Sequence, residues 1–201
     1  MGLREDKKTK TRKAISDLAT GLFMERGYHA VTTAEIAARA EVSVATLFNY
    51  FPVKEALVFD EEAELEAALV EAVVSRPFGQ SILEALRAFI LDAPFFRAFR
   101  PDPEPGYAAF MAMVHAAPEL TAYMRQICIR YEKTLAAAIH VAAEGRVDEA
   151  TAAAASHFIL EAINFAQRSE RPAATFNTAF DLLVAGTATW DTSWTTRYSA
   201  A

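Results

Sequence analysis

The stretch G-Y-H-A-V-T-T-A-E-I-A-A-R-A-E-V-S-V-A-T-L-F-N-Y-F-P-V-K-E-A-L, from Gly27 to Leu57, decides the fold class. Thr32 followed by Glu35 has the form of a capping box: the threonine oxygen can accept from the third helical amide while the glutamate reaches back to the cap amide. The spacing predicts a short helix over 33–40. Ser43 can cap a second one over 44–50, and Pro52 stops it, because the residue before a proline avoids helical angles. Two short helices joined by a tight turn are the layout of a helix-turn-helix. Ile36, Ala37, Ala40, Val42, Leu47 and Phe51 have the spacing of a small core that fixes the two helices relative to each other.

Upstream, Ile15, Leu18, Ala19, Leu22 and Phe23 follow helical spacing over 8–26, and Gly27 can take the positive φ that ends a helix. Downstream, a long helix over 54–75 is expected, with Leu57, Leu65, Leu69 and Val73 on one face and an end near Pro77. Further helices fit 79–92, 105–116, 118–144, 148–169 and 173–190, punctuated by Pro94, the prolines of 101–106, Pro118, Gly145 and Pro172. No alternating run reads as a strand. The expected fold class is all-α: a three-helix helix-turn-helix domain over 1–53, a larger helical domain over 54–192, and a tail at 193–201.

The net charge of −6 is unevenly spread. Residues 1–59 hold nine Lys/Arg against seven Asp/Glu, and residues 60–201 hold eleven against nineteen. Arg4, Lys7, Lys8, Lys10, Arg12 and Lys13 make the first thirteen residues a basic arm. Such an arm can neutralise phosphates while the acidic remainder stays away from DNA. Every apolar run is broken before ~18 residues, and the charged N-terminus does not look like a signal peptide, so a cytoplasmic protein without a membrane partner is expected. Cys128 lies in an apolar helical stretch and reads as a small core residue.

The wording from Gly27 to Leu57 closely resembles the DNA-binding signature of the tetracycline-repressor-like (TetR) family; beyond the N-terminal part the resemblance rests on length and helical layout. It implies operator contacts at Thr33, Thr46, Phe48, Asn49, Tyr50 and Lys54. The residues themselves add Val44 and Ala45, whose methyls can meet thymine, while Thr46 can hydrogen-bond a base edge. Three positions depart from the family pattern. Glu41 stands where a turn glycine is usual, Phe48 replaces a usual tyrosine and reads either as a DNA contact or as core, and Tyr50 stands where histidine is common.

The resemblance also implies an inducer pocket and a dimer interface in the C-terminal part. Phe89, Phe96, Tyr107, Phe110, Met111, His115, Met124, Tyr131 and His157 are the candidate ligand-binding residues, each of which also reads as ordinary core. The C-terminal part loosely resembles relatives linked to lipid-like or acyl ligands. Ala154, Phe158, Ala162 and Phe165 form one apolar stripe, Ile159, Ile163 and Ala166 another, and Phe176, Phe180, Leu183 and Val184 do the same on the last helix. One chain cannot easily cover both faces, so a homodimer through the last two helices is expected. The function expected is a DNA-binding transcriptional repressor, released from double-stranded operator DNA by a small apolar or acyl-type ligand. The alternative is a helical bundle protein-interaction module without DNA binding. His29, His115, His140 and His157 show no close metal-ligand pair, and no glycine-rich phosphate loop occurs. No catalysis, metal or cofactor is therefore expected.

Overall fold

A computed structural model describes residues 3–92 and 106–187, and among the described residues the regular elements are helices without a strand. They are α1 (Leu3–Arg26), α2 (Thr33–Arg39), α3 (Val44–Tyr50), α4 (Glu62–Val74), α5 (Ile82–Asp92), α6 (Tyr107–Ala116), α7 (Pro118–Ala142), α8 (Glu149–Gln167) and α9 (Pro172–Thr187). The all-α class is as the sequence indicates.

The chain forms two compact units. One joins Met1–Glu62 to Gly106–Ile127, and the other joins Ala63–Pro105 to Cys128–Ala201. The N-terminal unit is thus wider than the expected 1–53 domain. Its core is built from Ile15, Ala19, Leu22 and Phe23 of α1, Ile36 and Ala37 of α2, Leu47 and Phe51 around α3, and the buried run Ala56 to Val58. Val114, Ala117 and Leu120 complete it, with Phe110, Met113, Tyr123 and Met124 packed alongside.

The expected continuous helix over 54–75 is absent. Residues 55–57 make a single 3-10 turn with hydrogen bonds from Leu57 to Lys54 and from Val58 to Glu55, and α4 begins only at Glu62. The reason is tertiary. Ser16 of α1 donates its buried hydroxyl to the Leu57 carbonyl at 2.8 Å, taking the acceptor that a continuing helix would need for the amide of residue 61. Ala56, Leu57 and Val58 are buried in succession, which a one-sided helix cannot achieve. A single rigid rod from 54 to 75 is therefore no route for a ligand signal.

In the second unit α8 and α9 pack as a helical hairpin, and Arg87 of α5 ties α9 down. Its guanidinium donates to Asn177 Oδ1 and the Asn177 carbonyl, both at 3.0 Å, and to Asp181 at 2.5 Å. It also lies 5.5 Å from the Phe180 ring centroid. Ser81 and Glu84 form a reciprocal capping box at α5, with bonds of 3.1 and 2.9 Å, so α5 starts at Ile82 instead of residue 79. Phe176 and Phe180 are both fully buried, and their rings lie 5.1 Å apart. The expectation that Phe180 faces a partner subunit is corrected by this packing. Phe95, Phe96, Phe99 and the tail at 193–201 lie outside the described residues.

Candidate nucleic-acid interface

Each of the two short helices is opened by a side chain. Thr32 Oγ1 accepts the Glu35 amide at 3.1 Å, and Ser43 Oγ accepts the Thr46 amide at 3.0 Å. Each bond satisfies an amide that the first helical turn leaves without an intrahelical acceptor. Only half of the capping box at Thr32 forms, because the Glu35 carboxylate turns to Arg26 at 2.5 Å and Arg39 at 3.5 Å. The turn between the helices accepts Glu41 at φ 55°, in the left-handed region where glycine is usual. The backbone there bears the strain of a side chain so that α3 can leave at its required angle.

Behind α3, Leu47 and Phe51 are fully buried. In front, Val44, Ala45, Phe48 and Asn49 are exposed, while Thr46 and Tyr50 are half-buried. The open question about Phe48 is settled in favour of the surface, since it is 41% exposed, as is Val44 at 42%. Being four residues apart on one helix, these two present adjacent apolar patches on the same face. Thr46 Oγ1 lies 2.7 Å from Ser43 Oγ. If Ser43 donates across that contact, the Thr46 proton is free for an acceptor beyond the helix. Thr33 opens α2, half-buried. Replacing Ser43 by alanine is expected to cost about 1 kcal/mol of stability through loss of this cap, measurable as a lower urea midpoint with an unchanged slope.

Lys54 is not a freely solvated cation. Its Nζ donates to the Tyr28 carbonyl at 2.7 Å and sits 4.0 Å from the Tyr28 ring centroid, and burial pushes its pKa below the ordinary lysine value. Tyr28 in turn donates to Glu55 at 2.9 Å. One ammonium N–H is therefore committed to the fold and two can still meet a phosphate. The basic arm is helical from Leu3. Lys7, Lys8 and Lys10 are exposed along it, Lys13 pairs with Asp17 at 3.0 Å, and Arg12 turns inward.

The residues expected to line an inducer pocket are divided between the two units. Tyr107, Phe110, Met111, His115 and Met124 belong to the N-terminal unit, where Phe110 and Met124 pack on its core. Phe89, Tyr131 and His157 belong to the other unit, and Phe96 is outside the described residues. Tyr131 is buried; His157 is exposed, with Nδ1 at 3.0 Å from Glu132. Among the described ones Phe89 alone lines an open, mostly apolar groove of about 370 Å³ along α4 and α5. Arg76 is among the residues that line that groove, and sequence reasoning did not single it out; an arginine buried beside neutral carbonyls has no charge-pattern signature.

Residues 15–60 match the family model described as "Bacterial regulatory proteins, tetR family". The uncharacterised HTH-type transcriptional regulator YvkB of Bacillus subtilis (strain 168) is 31% identical over 136 residues, 62% of this chain and 67% of that one. The chain belongs to the tetR family. A further tetR-region likeness is to the HTH-type transcriptional regulator TcmR of Streptomyces glaucescens, 33% identical over 85 residues, 42% of this chain. That match spans 38% of TcmR, so the chain covers well under two thirds of that relative's length. The tetR fold is also that of the solved structure of GusR from Salmonella enterica, with a TM-score of 0.55 and 18% identity over 88% of this chain and 94% of that one. The matched relatives are transcriptional regulators rather than enzymes, and no described helix is long and apolar enough to cross a membrane.

Proposed function

We propose that this chain is a cytoplasmic, non-catalytic transcriptional repressor that binds operator DNA as a homodimer and is released by a small apolar or acyl-type ligand. The observation that carries this reading is α3 itself. It is a seven-residue helix capped at its start, pinned from behind by Leu47 and Phe51, with Val44, Ala45, Phe48 and Asn49 directed outward. Among the described residues nothing packs over that outer face, and its small side chains suit close approach to a major groove.

Within this reading Thr46 and Asn49 hydrogen-bond base edges or phosphate, and Val44, Ala45 and Phe48 meet thymine methyls. Thr33, Tyr50 and the two remaining N–H groups of Lys54 position the backbone. Exposed Lys7, Lys8 and Lys10 add a sequence-independent attraction. The dimer is formed through α8 and α9, where Phe158, Phe165 and Leu182 are exposed at 56, 60 and 70%. A two-fold dimer sets the recognition helices about 34 Å apart, on successive major grooves. The ligand site is the groove along Phe89, whose mostly apolar walls fit a molecule with an apolar body.

The test is selection of bound duplexes from a random pool by the wild-type protein, followed by fluorescence anisotropy. Enrichment of a two-fold symmetric sequence supports the reading, and no enrichment removes it. Replacing the contacted thymines of the selected duplex by uracil deletes only their methyl groups. This exchange is expected to weaken binding several-fold, and Phe48→Ala is expected to make the thymine and uracil duplexes equivalent. Equal binding of the two duplexes by the wild type would show that Val44 and Phe48 do not read methyls.

A further inference from the structure

One cation of the basic arm is half-buried and turns inward. Arg12, on the third turn of α1, lays its guanidinium 4.3 Å from the centroid of the fully buried Phe51 ring, and its Nη1 donates to the Tyr50 carbonyl. Tyr50 is the last residue of α3, so this carbonyl is one of the acceptors that a helix leaves without an internal partner. Pro52 follows and has no amide to offer the last turn. A fixed cation here also complements the negative end of the helix dipole.

Arg12 does not act alone. Ser16 and Thr20 follow it at four-residue intervals on α1 and therefore lie on the same stripe. Ser16 donates to the Leu57 carbonyl at 2.8 Å, and Thr20 reaches the same oxygen at 3.5 Å. Three consecutive rungs of one helix thus hold backbone carbonyls at the two ends of the segment that leaves the recognition helix. A cation devoted to phosphate would gain nothing from an aromatic ring beneath it and a helix terminus beside it.

Resting on the DNA-binding reading above, we infer that Arg12 is a positioning residue, the top rung of an Arg12–Ser16–Thr20 donor ladder that sets the angle of α3, and not a phosphate contact. The planar guanidinium is what the site requires, since it stacks on Phe51 and donates in plane at the same time.

The two roles differ in their salt dependence. Loss of a phosphate contact shortens the log–log salt slope by about one unit and weakens all sequences alike, whereas loss of a positioning contact lowers selectivity at constant slope. The full-length protein is titrated across salt concentrations with the selected duplex and with a scrambled duplex of the same composition. Arg12→Lys and Arg12→Gln are both expected to narrow the affinity ratio between the two duplexes by about tenfold, with no change of slope on the scrambled one for Arg12→Lys. Lys8→Gln is expected to shorten the slope by about one unit and preserve the ratio. Full retention of the ratio by Arg12→Lys would overturn the inference. Amide hydrogen exchange without DNA is an independent measure: Arg12→Gln should speed exchange at Leu47 and Phe51 while Ile36 and Ala37 keep their protection. Unchanged exchange at Phe51 would also overturn it. A wild-type protein that enriches no sequence would count against the DNA-binding reading, and the exchange experiment would then decide the ladder by itself.

Discussion

If the protein dimerises through α8 and α9 as proposed, Phe158→Glu on α8 is expected to convert that dimer to a monomer and to lower operator affinity by about 10²- to 10⁴-fold, the factor gained when two half-sites are engaged together. Phe158 is 56% exposed in the single chain, so a carboxylate there is tolerated by the folded protomer. At the centre of an interface the same carboxylate would be buried without a partner, a cost that an association of this size cannot absorb. Sedimentation velocity reports the oligomeric state, and circular dichroism shows that the helices remain. Phe180→Glu is not an equivalent probe. Phe180 is fully buried against Phe176 and beneath Arg87, so the substitution is expected to unfold the α5–α9 contact before any question of assembly arises. A Phe158→Glu protein that stays dimeric would place the interface away from this face.

The second large effect concerns Phe51. Truncating a fully buried phenylalanine to alanine typically costs about 3–5 kcal/mol, a substantial part of the roughly 5–15 kcal/mol that holds a domain folded. In this chain the loss is compounded, because Phe51 joins α3 to the core behind it and carries the Arg12 guanidinium on its face. Phe51→Ala is therefore expected to lower the urea midpoint strongly and to abolish selective DNA binding, while Phe51→Leu retains part of both. A shift below about 1 kcal/mol would mean that the recognition helix is held by other contacts.

What could be read from the sequence was what local chemistry specifies. The start and stop of α3 are written in Ser43 and Pro52, and the observed span Val44–Tyr50 agrees with the expected 44–50. Glu41 in place of glycine signalled an unusual turn, and its φ of 55° is the outcome. Contacts between distant residues left no such mark. The 3-10 turn at 55–57 depends on a hydroxyl forty-one positions earlier, at Ser16, and the helical periodicity of Leu57, Leu65 and Leu69 gives no hint of it.

The basic residues show the same limit from the side of charge. Composition groups Arg12 with Lys7, Lys8 and Lys10, yet only the structure separates the cation seated on Phe51 from those in solvent. The aromatic and methionine-rich middle likewise read either as the lining of a pocket or as ordinary core. Phe110 and Met124 pack on the core of the N-terminal unit, while Phe89 lines a groove in the other. Apolar side chains specify burial but do not name the neighbour that buries them.

The most direct test of α3 as the surface that reads DNA is one anisotropy titration with the wild-type protein and a variant carrying Val44→Ala, Thr46→Ala and Asn49→Ala. Val44 and Asn49 are exposed and Thr46 is half-buried, and the three changes leave Leu47, Phe51 and the bond from the Thr46 amide to Ser43 Oγ in place. With the duplex selected by the wild type and its scrambled counterpart, the variant is expected to bind both with the affinity that the wild type shows for the scrambled one. A variant that still prefers the selected duplex by the wild-type ratio would contradict a reading role for α3.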